Sequence, residues 1–422
     1  MKVLVISHNS FSKVHNNGKT LESFLINVLK NDISQLYFRS EIPDFEYCNN
    51  YFKITDVDVL KSLLLFSSTC GQSLEKSSFM IPSMTCKLET ESKLFKILQS
   101  KSAYLTIFRD ILWNCRSWNT KTFRAWCKGN NPDLLFYVGG NFGFSHQIAF
   151  FLSQYLNKPL VTYLTDDYLI HPIRRNFLDI IHKQQMKSFY RRTINHSSLC
   201  FAIGELMCKE YSAYFNKEFF PLMNSIPKQD YHLYIKKSEV IISYFGGLHL
   251  NRWKMLVRFA RLSFNSTINI YTMDEPSVEI LKQFQANGIC FKGALSGKNL
   301  QNEILNSDIL LHVESDDVYN KSLTKLSIST KIPEYLISGR LVVGFGPEDV
   351  ASMKLLSDNE IGIVISSLSS DSEIKAIMQK IITDFDLRKS IGFRGYNYAI
   401  NKFDNKQIAY DFIEKLRSIA NK

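Results

Sequence analysis

Short, unbroken apolar runs alternate with longer amphipathic stretches along this chain, and they do so in two successive series. A strand buried on both faces of a sheet reads as a continuous apolar run, and parallel neighbours need a long crossover, usually a helix. In the first series the pattern predicts strands at 3–6, 134–138, 160–164 and 198–203. Helices are predicted at 20–29, where Leu21, Phe24, Leu25, Val28 and Leu29 share one face, and near 144–157 and 173–194. Around 216–238 the alternation lapses into mixed polar residues with two prolines, which reads as a linker. A second series follows, with strands at 240–245, 267–271, 288–291, 308–313, 341–345 and 361–365. Residues 371–420 read as helical, broken near Phe403-Asp404. At 422 residues the chain exceeds what one hydrophobic core holds. The expectation is two Rossmann-like halves in tandem, 1–225 and 236–400, then a final helix at 401–422 packing back on the first half.

Segment 41–130 fits this pattern poorly. Its 93–128 portion carries eight Lys and Arg against one acid, Asp110, with three of the four tryptophans: Trp113, Trp118 and Trp126. Cations interleaved with aromatic rings suit an anionic membrane surface. They suit single-stranded nucleic acid as well, or a helical insert whose rings reach the core. The net charge of +11 favours anionic partners of either kind.

Other classes are excluded more firmly. Residues 134–157 carry no charge, yet Gly139, Gly140, Asn141 and Gly143 interrupt them, so a strand, loop and helix are expected rather than a membrane span. The eight cysteines form no C-x-x-C pair, which argues against a zinc or redox motif and fits a reduced, cytoplasmic protein. The opening MKVLVISHNS lacks the length of a signal peptide and reads as the first buried strand.

The densest chemistry lies at 327–347, SISTKIPEYLISGRLVVGFGP. Ser329 or Thr330 would cap a helix with Pro333 in its first turn, and Gly339 would end it. Lys331 and Glu334, three apart, share a face. A cation and free backbone N–H groups there suit phosphate, and a carboxylate can take both hydroxyls of a ribose. A plain surface ion pair is the other reading. Asp166 and Asp167 follow an apolar strand, where a ligand reaches an open α/β sheet, and serve as a base for a hydroxyl or cap the next helix. His8 and His146 also fall near predicted strand ends. Asn17-Gly18-Lys19-Thr20 fails as a P-loop because position 13 is Lys, and Asp56-Val57-Asp58 reads as a helix cap rather than a metal-binding D-x-D.

The S-T-K-I-P-E-Y-L-I-S-G-R run, with SDILLHVES before it and GFGP after it, resembles the donor site of GT-B glycosyltransferases, above all the family 4 type of bacterial surface polysaccharide biosynthesis. Tyr244-Phe245-Gly246-Gly247-Leu248 with Asn251-Arg252 resembles the start of that family's C-terminal domain. Asn17-Gly18-Lys19 resembles its glycine loop, and VTYLTDDY the strand whose end faces the cleft. The resemblance implies an α/β fold of two tandem Rossmann-like domains facing each other across a cleft, acceptor-side first and nucleotide-sugar-binding second. It implies transfer of a sugar from a nucleotide diphosphate sugar to a glycan or lipid-linked acceptor hydroxyl, without metal or further cofactor. Arg252 and Lys331 would neutralise the leaving diphosphate. Glu334 would hold ribose, with Thr330 and Tyr335 beside it, and Gly18 and Gly247 would admit the donor closely. Asp167 would be catalytic, with Asp166 and His146 on the acceptor side. The setting expected is the cytoplasmic face of an anionic inner membrane, with no nucleic-acid partner.

This sequence departs from that family's pattern, in which a Lys in fixed register also accompanies the pyrophosphate-binding Arg; here Lys254 is close to that place. Position 326, eight before Glu334, is Leu rather than Glu, and Glu314 lies too far off by spacing to replace it. Asp166-Asp167 stands where a His is usual. A non-hydrolysing nucleotide-sugar epimerase, or an inactive or nucleic-acid-binding GT-B scaffold, are the rival readings.

Overall fold

The computed structural model describes residues 1–11, 21, 24, 25, 32–43, 46, 48–65, 68–75, 103–174, 176–263 and 266–420. The expected glycine loop with Gly18 lies outside them, as does most of the helix expected at 20–29. The chain divides into two compact units, 1–170 with 174–223 and 407–422, and 171–173 with 224–406.

The first unit is built on an eight-stranded sheet. Its strands are β1 (Val3–Ser7), β2 (Ile33–Tyr37), β3 (Asn50–Lys53), β4 (Gln72–Glu75), β5 (Leu134–Gly139), β6 (Leu160–Leu164), β7 (Leu199–Ala202) and β8 (Phe220–Pro221). Their order is β4-β3-β2-β1-β5-β6-β7-β8, parallel except for the antiparallel pair β3–β4. One face of the sheet is covered by the helices Asp56–Leu64, Ala103–Asn114, Lys121–Asn130 and Gly143–Leu156, whose rings Trp113, Trp118, Phe123 and Phe144 pack on Leu4, Phe52 and Leu135. Against the other, Phe412, Ile413 and Leu416 of the last helix join Phe24, Phe136 and Tyr163.

The second unit carries a six-stranded, all-parallel sheet: β9 (Ile241–Phe245), β10 (Thr267–Tyr271), β11 (Ile289–Gly293), β12 (Ile309–Val313), β13 (Leu341–Gly346) and β14 (Ile363–Ser366). The order is β11-β10-β9-β12-β13-β14. Strand order therefore reverses between β1 and β5 in one unit and between β9 and β12 in the other. In open parallel sheets, ligands bind at the carboxyl ends of strands beside such a reversal.

The apolar runs sit at or within two residues of their predicted places. The strands β2, β3 and β4 escaped the pattern because polar residues interrupt them. Gln35, fully buried in β2, donates to Ser7 Oγ at 2.8 Å and accepts from Phe11 N at 2.9 Å, so the polar group is satisfied inside the sheet. The helical tail also has a second break, at Asp384, whose carboxylate caps the helix Phe385–Lys402 through Leu387 N.

The basic aromatic stretch turns inward. Trp113 and Trp118 are fully buried, and Trp126 is half-buried with its indole N–H donated to Asn50 Oδ1 at 2.7 Å. Arg109 is also buried, its Nε 2.6 Å from Asp56 Oδ1, which accepts from Trp113 Nε1 as well. These tryptophans are core, because each ring closes against a neighbouring helix or strand. Thr55 and Asp58 form a capping box around the same helix start, so the D-x-D acids at 56 and 58 hold structure.

Candidate functional site

The loop after β9 is built to carry one arginine. Tyr244 Oη donates to Gly247 O at 2.7 Å, and Leu248 N donates to Asp274 Oδ2 at 2.5 Å, which ties the loop to the residues following β10. Leu250 and Asn251 both take left-handed backbone, φ 56° and 61°, and deliver Arg252 to the first turn of the helix Arg252–Leu262. A Cβ at Gly247 would stand 2.5 Å from the His249 ring and 3.3 Å from Asp274, so a side chain here would displace the exposed His249 ring from its place beside Arg252.

Arg252 reaches across the strand reversal. Its Nη2 lies 3.1 Å from both carboxylate oxygens of Glu314, the residue after β12, and its Nη1 lies 3.3 Å from His249 Nε2. Burial works against the arginine's charge, but Glu314, helped by Tyr244 and Asp274, outweighs it and holds the guanidinium protonated more firmly than usual. Burial drives the neighbouring His312 down to about 4, the opposing pull of Glu314 notwithstanding, so at neutral pH it is an uncharged imidazole. Its Nε2 meets Ser352 Oγ at 3.0 Å.

Lys331, Glu334 and Tyr335 come from the helix Lys331–Ile337. Ser329 Oγ, not Thr330, accepts from Lys331 N, at 3.3 Å; the Thr330 side chain makes no capping bond. Gly339 ends the helix with φ 70°. Lys331 Nζ lies 3.2 Å from Glu334 Oε2, and both side chains keep solvent exposure, 29% and 22%. Tyr335 corrects the expectation of a donor contact. It is buried, its hydroxyl donates to Phe245 O at 3.1 Å and accepts from Phe245 N at 3.0 Å, and it thereby locks this helix to the end of β9. Arg252 and Glu314 thus meet at the carboxyl ends of β9 and β12, and Tyr335 ties the helix that carries Lys331 and Glu334 to the end of β9.

Glu314 is the residue that sequence spacing set aside. A signal was present: an acid directly after an apolar strand, the same rule that drew attention to Asp166 after β6. Position 326 meanwhile holds a Leu that is completely buried.

The first unit's candidates divide differently. Asp167 is buried and accepts from Leu169 N at 2.9 Å, Ile170 N at 2.8 Å and Tyr211 Oη at 2.7 Å. It shapes the turn after β6, which corrects the expectation of a catalytic carboxylate. His146 is buried on the helix Gly143–Leu156, between Thr193 Oγ1 and Gly140 O, each at 3.2 Å, and burial takes its pKa down to about 3. It braces the β5 loop and has no open face for an acceptor. Asp166 is only half-buried and accepts from the hydroxyls of Thr165 and Tyr168, each at 3.2 Å. His8 stacks on Phe142 with centroids 4.4 Å apart. Among the described residues, no group of three or more His, Cys, Asp or Glu side chains is placed to hold a metal ion.

No family model matches the chain, and no curated protein matches it in sequence. Solved structures do match. Anabaena HepE in complex with UDP superposes with a TM-score of 0.64 at 13% identity, over 99% of this chain and 100% of that one. WaaG, a glycosyltransferase involved in lipopolysaccharide biosynthesis, gives 0.57 at 12% identity over 97% and 98%. The chain has the GT-B fold. An α,α-trehalose-phosphate synthase (UDP-forming) from Burkholderia xenovorans, in complex with glucose-6-phosphate, shares it with a TM-score of 0.59 at 7% identity, over 99% and 100%. At such identities the likeness is one of fold, and the chemistry of this GT-B chain rests on its own side chains.

Proposed function

We propose that the chain is a glycosyltransferase that moves a sugar from a nucleotide diphosphate sugar to a hydroxyl of a glycan or lipid-linked acceptor. The single observation that carries this reading is Arg252, delivered by a glycine loop to the carboxyl end of β9 at the strand reversal. Lys331 follows on a helix locked to that same strand end. As the glycosidic bond breaks, charge grows on the diphosphate, and fixed cations meet it without reorganisation. Glu334, partly exposed beside Lys331, has two oxygens suited to the hydroxyls of a ribose. Glu314 holds Arg252 in place between ligands. Asp166, half-buried just after β6, serves the acceptor hydroxyl. Two side-chain cations doing the charge work leave no need for a metal, so turnover should persist in a chelator. The HepE complex with UDP and the WaaG role in lipopolysaccharide synthesis agree with this donor and acceptor class.

Thermal melting with UDP, GDP and ADP is the direct test, since a ligand that binds only the folded state raises its stability. One nucleotide diphosphate should raise the midpoint, and Arg252→Ala should remove the shift. Release of nucleotide from the matching sugar donor should require an added acceptor; product formed from the donor alone would mark an epimerase instead. No shift with any nucleotide, and no turnover of any donor, would sink the reading.

A further inference from the structure

The tryptophans of the basic segment are core, yet the same segment leaves other apolar side chains in solvent. On the helix Ala103–Asn114, Phe108 and Ile111 are 49% and 58% exposed, and Cys115 at the next turn is exposed in line with them. Positions i, i+3 and i+7 form one stripe along a helix. The stripe ends at a turn in which Ser117 Oγ donates to Val59 O at 3.2 Å and Ser62 Oγ to Ser117 O at 3.4 Å, so it abuts the helix Asp56–Leu64. That helix ends in Leu64 and Leu65, 66% and 73% exposed. Lys61 and Arg116 stand exposed at the same junction. Between residues 103 and 132 the sole acid is Asp110, and it is buried. The acids of the neighbouring helix are withdrawn too, Asp56 in its pair with Arg109 and Asp58 in its capping box.

We propose that this face seats on the headgroup surface of an anionic lipid bilayer, Phe108, Ile111, Leu64 and Leu65 entering the interface while Lys61 and Arg116 meet lipid phosphates. Apolar insertion and cation attraction are the two signals whose sum gives reversible anchoring. A second copy is a poor occupant, because two such faces present like charge to each other. The proposal concerns where the protein sits and does not depend on the donor chemistry.

Sedimentation of the full chain with vesicles tests it. Vesicles of phosphatidylcholine mixed with phosphatidylglycerol should carry the protein down, and phosphatidylcholine alone should do so far less. The double variant Phe108→Ser with Ile111→Ser should bind the mixed vesicles about tenfold more weakly or worse. Lys61→Gln with Arg116→Gln should lose about fivefold per cation and should weaken the salt dependence. These side chains are at the surface, so both variants should melt as the parent does and keep the nucleotide-induced shift. A parent protein left in the supernatant by both vesicle types overturns the proposal, as do variants that sediment as the parent does. Capture by an acidic protein with no vesicle binding has the same force.

Discussion

Two arginine–carboxylate pairs, one in each unit, show how the same chemistry is put to different uses. Arg109–Asp56 is sealed, its side chains 2% and 0% exposed, roofed by Phe142 and Phe144 and shared with the Trp113 indole. Arg252–Glu314 is open on the arginine side, 17% against 4%, and lies at a strand reversal behind a glycine loop. A buried pair that admits nothing else can only hold helices together. A pair whose cation keeps an edge towards solvent can be handed to an anion. Charge and residue type do not separate the two; accessibility does.

The largest effect that sharpens this contrast is on stability. Asp56→Ala strands the Arg109 charge in the core and should destabilise the first unit by about 3–5 kcal/mol in denaturant titration. Nucleotide-induced stabilisation of the fraction that folds should survive. Arg252→Ala shifts the weight to function: it costs some stability, because the buried Glu314 loses its countercharge, while turnover falls about 10²–10³-fold, some 3–4 kcal/mol of transition-state stabilisation. If Arg252→Ala unfolded the protein and left activity per folded molecule intact, the contrast would collapse.

A third test lies in pH. Burial raises the Asp110 carboxyl to about 6, against the pull of Phe144 N–H, Arg109 and Gly143 N–H. A carboxyl whose folded pKa is raised contributes stability below its unfolded value and loses it as pH climbs through the folded one. Asp110→Asn keeps an acceptor for the helix start and removes that loss. The stability difference between variant and parent should therefore grow in the variant's favour from pH 4 to 6, on the order of 2–3 kcal/mol by chemical denaturation at each pH. His182 Nε2 lies 3.9 Å from Asp110 Oδ2, and burial takes this imidazole down to about 4, so it loses stability as pH falls through the same range; the two groups touch, and making the comparison in a His182→Gln background isolates the carboxyl's contribution. A flat difference would mean that the carboxyl is not held neutral.

The smallest effect concerns Glu314. Glu314→Gln removes the countercharge yet leaves an acceptor for Arg252, so turnover should fall about tenfold, roughly 1.4 kcal/mol, through looser placement of the guanidinium. Nucleotide diphosphate binding by calorimetry should hold or tighten, since the cation is no longer neutralised. Weaker nucleotide binding in that variant would assign Glu314 to the ligand rather than to the arginine.

Much of this was legible in the sequence, and for one reason. Burial on both faces of a parallel sheet writes itself as unbroken apolar runs, so β1, β5, β6, β7 and all six strands of the second unit stand out in the chain, and with them the two-sheet α/β architecture. Tertiary structure alone decided which polar groups remain available. Asp166 and Asp167 are neighbours in sequence, yet one is wrapped by two backbone N–H groups and a tyrosine while the other is left half-open. Lys61, Arg109 and Arg116 read alike as basic residues, but only Arg109 meets an acid brought from 53 residues away and disappears into the core. The sheet's carboxyl edge, a place defined by strand order, brings Glu314 to Arg252 across 62 positions. Hydrophobic periodicity is local and survives in one dimension, whereas the pairing and solvation of charges depend on which distant segments the folded chain makes neighbours.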